Sequence, residues 1–169
     1  PGWGHVSRRE AADAFGLDHE EMAERHDDMF TTWELGKLTI DDYLDRVVFH
    51  EPRSFSREDF IAYMKAQSQP CEDIMALVTS LKQRHSLRTG AVSNEPRELT
   101  EYRVRQFHLD DLLDFFVVSS FVHLRKPDPD IFKLAIDTAQ CPPEAVVYLD
   151  DRALLADAAR GQGLHAIHH

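Results

Sequence analysis

Three short segments of the 169-residue sequence hold side chains that could work on a phosphoryl group. Ser93-Asn94 offers a hydroxyl and an amide, Lys126 in Arg125-Lys126-Pro127-Asp128 an ammonium, and Asp150-Asp151 two adjacent carboxylates. Each has an ordinary alternative. Ser or Asn between a strand and a helix is commonly an N-cap, Lys-Pro is commonly a surface turn, and Asp150-Asp151 could cap the helix carrying Leu154 and Leu155. The paired acids repel one another, however, and a cation offsets that repulsion. Taken together the three segments suit phosphoryl transfer. The acids would hold Mg²⁺ through oxygen, Lys126 would add positive charge at the transferring group, and Ser93 with the following backbone N–H groups would bind phosphoryl oxygens.

That chemistry requires the segments to meet, and the hydrophobic pattern says how. After Pro70, amphipathic helices alternate with short apolar runs, beginning with a helix that bears Ile74, Leu77, Val78 and Leu81. Strands are expected at 87–93, 116–121, 145–149 and 164–168, separated by segments long enough for right-handed crossovers, so the sheet is parallel. Runs such as Phe115-Phe116-Val117-Val118 suit strands covered by helices on both faces. In a parallel α/β sheet the strands' carboxyl ends share one edge, where ligands bind, and the three polar segments all follow strands.

The first seventy residues read as helices only. A capping box at Ser7-Arg8-Arg9-Glu10, with Val6 stapled onto Ala11, starts a helix that Gly16 stops. Asp18 starts a second helix, with Met22, His26, Met29, Phe30 and Trp33 on one face and an end at Gly36. Thr39 caps a third helix and Ser56 a fourth. Residues 5–69 are therefore expected to form a small helical cap, and 70–169, with 1–4, an α/β core. Pro1-Gly2-Trp3-Gly4 reads as a loop.

Composition narrows the function classes. With 43% hydrophobic and 29% charged residues the chain can build a core, and 19 basic against 30 acidic residues give a net charge of −11. Such a surface disfavours nonspecific contact with nucleic acid or anionic lipid. No apolar run approaches the ~18 residues of a membrane span. Two cysteines, Cys71 and Cys141, make neither a disulfide framework nor a Cys-x-x-Cys site, which suits the cytoplasm. His165 and His168 would point to opposite faces of a strand and so do not form a metal pair.

At Val92-Ser93-Asn94, Arg125-Lys126-Pro127-Asp128 and Tyr148-Leu149-Asp150-Asp151 the chain resembles the haloacid dehalogenase-like (HAD) hydrolase superfamily, through its second, third and fourth motifs. The resemblance implies a Rossmann-like core with a four-helix cap and a phospho-aspartyl intermediate. It also implies that Ser93, Asn94 and Lys126 are catalytic, Ser93 holding the phosphoryl group and Lys126 stabilising the nucleophile and intermediate, and that Asp150, with Asp151 as ligand or partner, binds Mg²⁺. The substrate would be a small phosphorylated metabolite such as a sugar phosphate, with no nucleic acid or membrane partner. The family's first motif, Asp-x-Asp or Asp-x-Gly after the first strand, is absent; Asp-x-Asp occurs only at Asp128-Pro129-Asp130. The resemblance places that strand centrally, between those ending at Ser93 and Asp150. Pro1 is accordingly expected to follow it, and the sheet without it to lack interior backbone partners. Two adjacent acids favour phosphatase over the metal-independent 2-haloacid dehalogenase branch. A phosphoryl-accepting receiver domain uses similar groups in the reverse order, and a noncatalytic HAD-fold interaction protein is the remaining alternative.

Overall fold

The computed structural model describes residues 3–169, so Pro1-Gly2 of the expected opening loop lies outside the described residues. The helical segment comprises α1 (His5–Phe15), α2 (His19–Glu34), α3 (Ile40–Val47) and α4 (Arg57–Ala66). It is followed by α5 (Glu72–His85), β1 (Gly90–Ser93), α6 (Arg97–Gln106), α7 (Leu109–Leu112), β2 (Phe115–Val118), α8 (Ser119–Val122), α9 (Pro129–Ala139), β3 (Val147–Asp150), α10 (Ala153–Arg160) and β4 (His165–His168). A 3₁₀ turn over Pro143–Ala145 precedes β3. Among the described residues no helix is long and apolar enough to cross a membrane.

Most helix ends are where the capping residues put them. Asp18 accepts from the Glu21 amide, Thr39 and Asp42 complete a reciprocal capping box, and Ser56 accepts from the Asp59 amide. The start of α1 differs from expectation: the helix begins at His5 with Gly4 as N-cap, which places Ser7 inside it, and Val6 is 68% exposed rather than stapled. Trp3 explains the earlier start. Its Nε1 donates to Tyr43 Oη at 3.1 Å and its ring meets Phe60 edge-on, which anchors the chain ahead of the first turn. Tyr43, Phe60, Trp33, Leu44 and Met64 form the buried centre of the helical segment, and Leu99 of α6 packs into the same cluster.

The strands are parallel, as expected, and they form two two-stranded sheets, the break falling between the strands that end at Ser93 and Asp150, where the resemblance places a further strand. Gly90–Ser93 pairs with Phe115–Val118, and Val147–Asp150 pairs with His165–His168. All four strands are also shorter than expected, at four residues each. β2 stops at Val118 because Ser119 and Ser120, both fully buried, turn into α8, where the Ser119 hydroxyl donates to the Glu34 carbonyl at 2.6 Å. Burial on both faces does not hold for β3 among the described residues: Tyr148 and Asp150 point inward, whereas Val147 and Leu149 are each 60% exposed. The expected apolar face of α5 is likewise open, with no buried residue on that helix. A second core cluster, including Val117, Ile131, Phe132, Tyr148 and Leu164, joins the two sheets through α9.

The helical segment meets the later α/β part at the C-terminal end of α2. His123 Nδ1 donates to the Leu35 carbonyl at 2.7 Å, and Glu98 Oε1 accepts from the Ile40 amide at 2.9 Å. Gly36 has φ of +69° and sits against Ser120, where a Cβ would collide with the Ser120 carbonyl. Only glycine meets both conditions.

Candidate active site

The carboxyl ends of β1 and β3 and the loop after α8 converge on a cavity of about 200 Å³. Ser93, Asn94, Lys126, Asp150 and Asp151 all line it, so the five residues singled out from the sequence are neighbours in space. Glu34, Arg152 and Leu155 complete the lining.

Lys126 and Asp150 form its buried centre, with side chains 10% and 6% exposed and Nζ 2.8 Å from Asp150 Oδ2. Lys126 Nζ also donates to Tyr148 Oη at 2.9 Å, and the Tyr148 hydroxyl donates to the same Asp150 oxygen at 2.6 Å. Asp150 Oδ1 accepts from the Arg152 amide at 3.0 Å. Burial alone would raise the Asp150 pKa, but the hydrogen bonds from Lys126, Tyr148 and the Arg152 amide outweigh it and hold the carboxyl below its ordinary value. Burial and the adjoining carboxylate push the Tyr148 hydroxyl up, so it stays protonated and remains a donor.

Asn94 acts on Lys126 through the backbone. Its Oδ1 accepts from the Lys126 amide at 2.7 Å and its Nδ2 donates to the Lys126 carbonyl at 2.8 Å, a two-point clamp that sets the loop. The Lys126–Pro127 peptide in this loop is cis. The Ser93 hydroxyl lies at the end of β1 on the cavity wall. Asp128, third in its motif, turns away to cap α9 through the Asp130 amide. Asp151 is exposed and lines the cavity with no side-chain partner among the described residues.

Two contributors escaped the sequence reading. Tyr148 could have been found, because residues i and i+2 of a strand share a face and Tyr148 therefore lies beside Asp150. Glu34 gave no sequence signal. It comes from the last turn of α2, its Oε2 sits 2.7 Å from Arg125 Nη2, and burial raises its pKa against the opposing pull of Arg125.

A divalent cation can be tested against these donors. The oxygen-only set of Asp150 and Asp151 suits Mg²⁺, which keeps several waters and binds through one or two carboxylates. Asp151 is an uncommitted carboxylate, and Asp150 is charged at neutral pH. Among the described residues no cluster of three or more His, Cys, Asp or Glu forms a complete cage. The pair therefore fits a partly hydrated ion rather than an all-protein site.

A family model described as a haloacid dehalogenase-like hydrolase matches residues 3–163. The chain is 33% identical over 78 residues to the phosphorylated carbohydrates phosphatase of Thermotoga maritima, a match covering 46% of this chain and 36% of that protein. It is 41% identical over 54 residues to bifunctional epoxide hydrolase 2 of Sus scrofa, covering 32% of this chain and 10% of that protein. The chain thus spans about a third or less of the length of these curated relatives. Among solved structures, a HAD family enzyme from Bacteroides thetaiotaomicron in its magnesium complex superposes with a TM-score of 0.80 at 20% identity, covering 99% of this chain and 90% of that one. At that identity the likeness is one of fold.

Proposed function

The chain belongs to the haloacid dehalogenase-like hydrolases, and from that premise we propose that the whole protein is a Mg²⁺-dependent phosphatase acting on a small phosphorylated metabolite such as a sugar phosphate. The observation that carries this reading is the buried Lys126–Asp150 pair, 2.8 Å apart, at a cavity that Ser93 and Asp151 also line. An ammonium held at fixed depth beside a hydroxyl stabilises charge on a phosphoryl group without having to reorganise as the group transfers.

In this reading an aspartate nucleophile attacks phosphorus and the ester P–O bond breaks. The leaving oxygen takes a proton, and water then cleaves the phospho-aspartate to inorganic phosphate. Two of the three carboxylates lining the cavity are engaged within the protein, Asp150 with Lys126 and Tyr148 and Glu34 with Arg125, and Asp151 is assigned in this reading to holding Mg²⁺. In this reading the nucleophile is a further aspartate, distinct from these three. Lys126 and Ser93 bind the phosphoryl oxygens, and Asn94 keeps Lys126 in place through its peptide. Asp150 and Asp151 would hold Mg²⁺, which when bound supplies further neutralisation of phosphoryl charge. The cap, docked through α2, excludes water and macromolecules from the cavity and limits substrates to small esters.

The test is a panel of phosphate monoesters offered to the complete protein, with inorganic phosphate release measured in Mg²⁺ and in EDTA. Release in Mg²⁺ that EDTA abolishes is the expected result. Full turnover in chelator, or release of halide from 2-haloacids without phosphate release, would replace this reading.

A further inference from the structure

Packing accounts for the ring of Tyr148 but not for its hydroxyl. The residue is 9% exposed and its ring meets Phe132 edge-on at 5.6 Å, a role that a phenylalanine would fill as well. A buried hydroxyl costs free energy unless it is hydrogen-bonded. Its partners among the described residues are Lys126 Nζ at 2.9 Å and Asp150 Oδ2 at 2.6 Å, both groups of the catalytic cavity. We propose that Tyr148 is a positioning residue for phosphoryl transfer, its hydroxyl holding the Lys126 ammonium at the point from which it meets the phosphoryl oxygens. The inference rests on the phosphatase reading and adds to it a residue that acts through another side chain, since Lys126 lines the catalytic cavity and Tyr148 does not.

Strand geometry brings the three groups together. Residues two apart on β3 share a face, so Tyr148 and Asp150 both point inward, and the loop clamped by Asn94 delivers Lys126 to them. An ammonium has donors only, so the Tyr148 oxygen accepts from Lys126 and its own proton goes to Asp150. Lys126 Nζ lies 2.8 Å from Asp150 Oδ2, which closes a triangle in which each atom contacts the other two. The two acceptors are themselves only 2.6 Å apart, so both lie on one side of the ammonium and its remaining donor capacity is turned away from them.

Without the hydroxyl the ammonium keeps Asp150 Oδ2 as its one side-chain acceptor, and a flexible four-carbon stem lets it swing about that point. The same change leaves Asp150 Oδ1, which accepts from the Arg152 amide, untouched and removes a donor from Oδ2. One substitution therefore separates the placing of Lys126 from the capacity of Asp150 to hold a cation.

Tyr148→Phe keeps the ring and deletes the hydroxyl. In the full-length protein with Mg²⁺ and 4-nitrophenyl phosphate, kcat should fall by roughly 10- to 100-fold, the scale of a misplaced catalytic group. KM should change by less than about three-fold. Calorimetric titration with Mg²⁺ alone should show binding no weaker than in wild type, which also establishes that the variant is folded. A third readout needs no turnover: with ¹⁵N-labelled lysine, the Lys126 Nζ signal, assigned by its disappearance in Lys126→Met, should be more mobile in Tyr148→Phe. Wild-type kcat, or an unchanged Lys126 signal, would overturn the inference and leave the phosphatase reading standing. Loss of Mg²⁺ binding in step with kcat would also overturn it, because Tyr148 would then support Asp150 or the sheet itself. A wild-type protein that hydrolyses no phosphate ester would overturn the phosphatase reading and the inference together.

Discussion

Replacing Lys126 by Met keeps most of the side chain's volume and removes its charge, so it isolates what the ammonium does for Asp150. In the native protein Asp150 is 6% exposed and receives hydrogen bonds from Lys126, Tyr148 and the Arg152 amide. Breaking a buried ion pair from one side costs roughly 3 to 5 kcal/mol, because the remaining charge stays buried. Two of the three donors survive, which places the expected loss near the lower end, about 3 kcal/mol at pH 7. The double variant Lys126→Met/Asp150→Asn removes the stranded charge and should recover about 2 kcal/mol of that loss. The pH dependence has a definite sign. Native Asp150 has a lowered pKa, so its stabilisation is present above the unfolded value and lost as pH falls through the folded one. Without Lys126 the folded pKa rises above the unfolded value, and the destabilisation is relieved as pH falls. Urea unfolding at pH 7 and pH 5, followed by circular dichroism, measures all three proteins. A single variant as stable as wild type at pH 7, or a double variant no more stable than the single, would refute the coupling.

Other outcomes follow from the same geometry. His26 is 8% exposed with its pKa lowered from 6.5 to about 4, so its contribution should be fully present above pH 6.5 and decline toward pH 4, by about 3 kcal/mol in total. His26→Gln should flatten that part of the pH–stability curve, and an identical slope in both proteins would count against burial of the neutral imidazole. Gly36→Ala forces a side chain into left-handed backbone and against the Ser120 carbonyl; a drop in Tm of several degrees is expected, from about 1 to 2 kcal/mol of backbone strain plus the collision. Asp151→Asn should weaken Mg²⁺ binding by about ten-fold or more with little change in Tm, since the carboxylate is exposed and lacks a protein partner. Equal loss of stability and of metal affinity would mean that Asp151 is structural.

Local chemistry written in consecutive residues was legible in the sequence. Thr39 was recognisable as the cap of its helix, Gly16 as a left-handed stop, and the alternation after Pro70 as parallel strands, because each depends on neighbours a few residues away. Ser93, Lys126 and Asp150 could likewise be placed at one edge, since a parallel sheet leaves its strand ends no other arrangement. Long-range contacts decided the rest. Trp3 moved the start of α1 by bonding to Tyr43, and Ser119 shortened β2 by bonding to Glu34, 85 positions away in sequence. The site divides the same way. Lys126 and Asp150 were visible from residue type and position, but only the fold showed that Asn94 grips the Lys126 peptide and that Tyr148 shares the Asp150 oxygen. Glu34 had no local signature, because a glutamate on a polar helix face looks like any solvated charge until docking of the cap buries it beside Arg125.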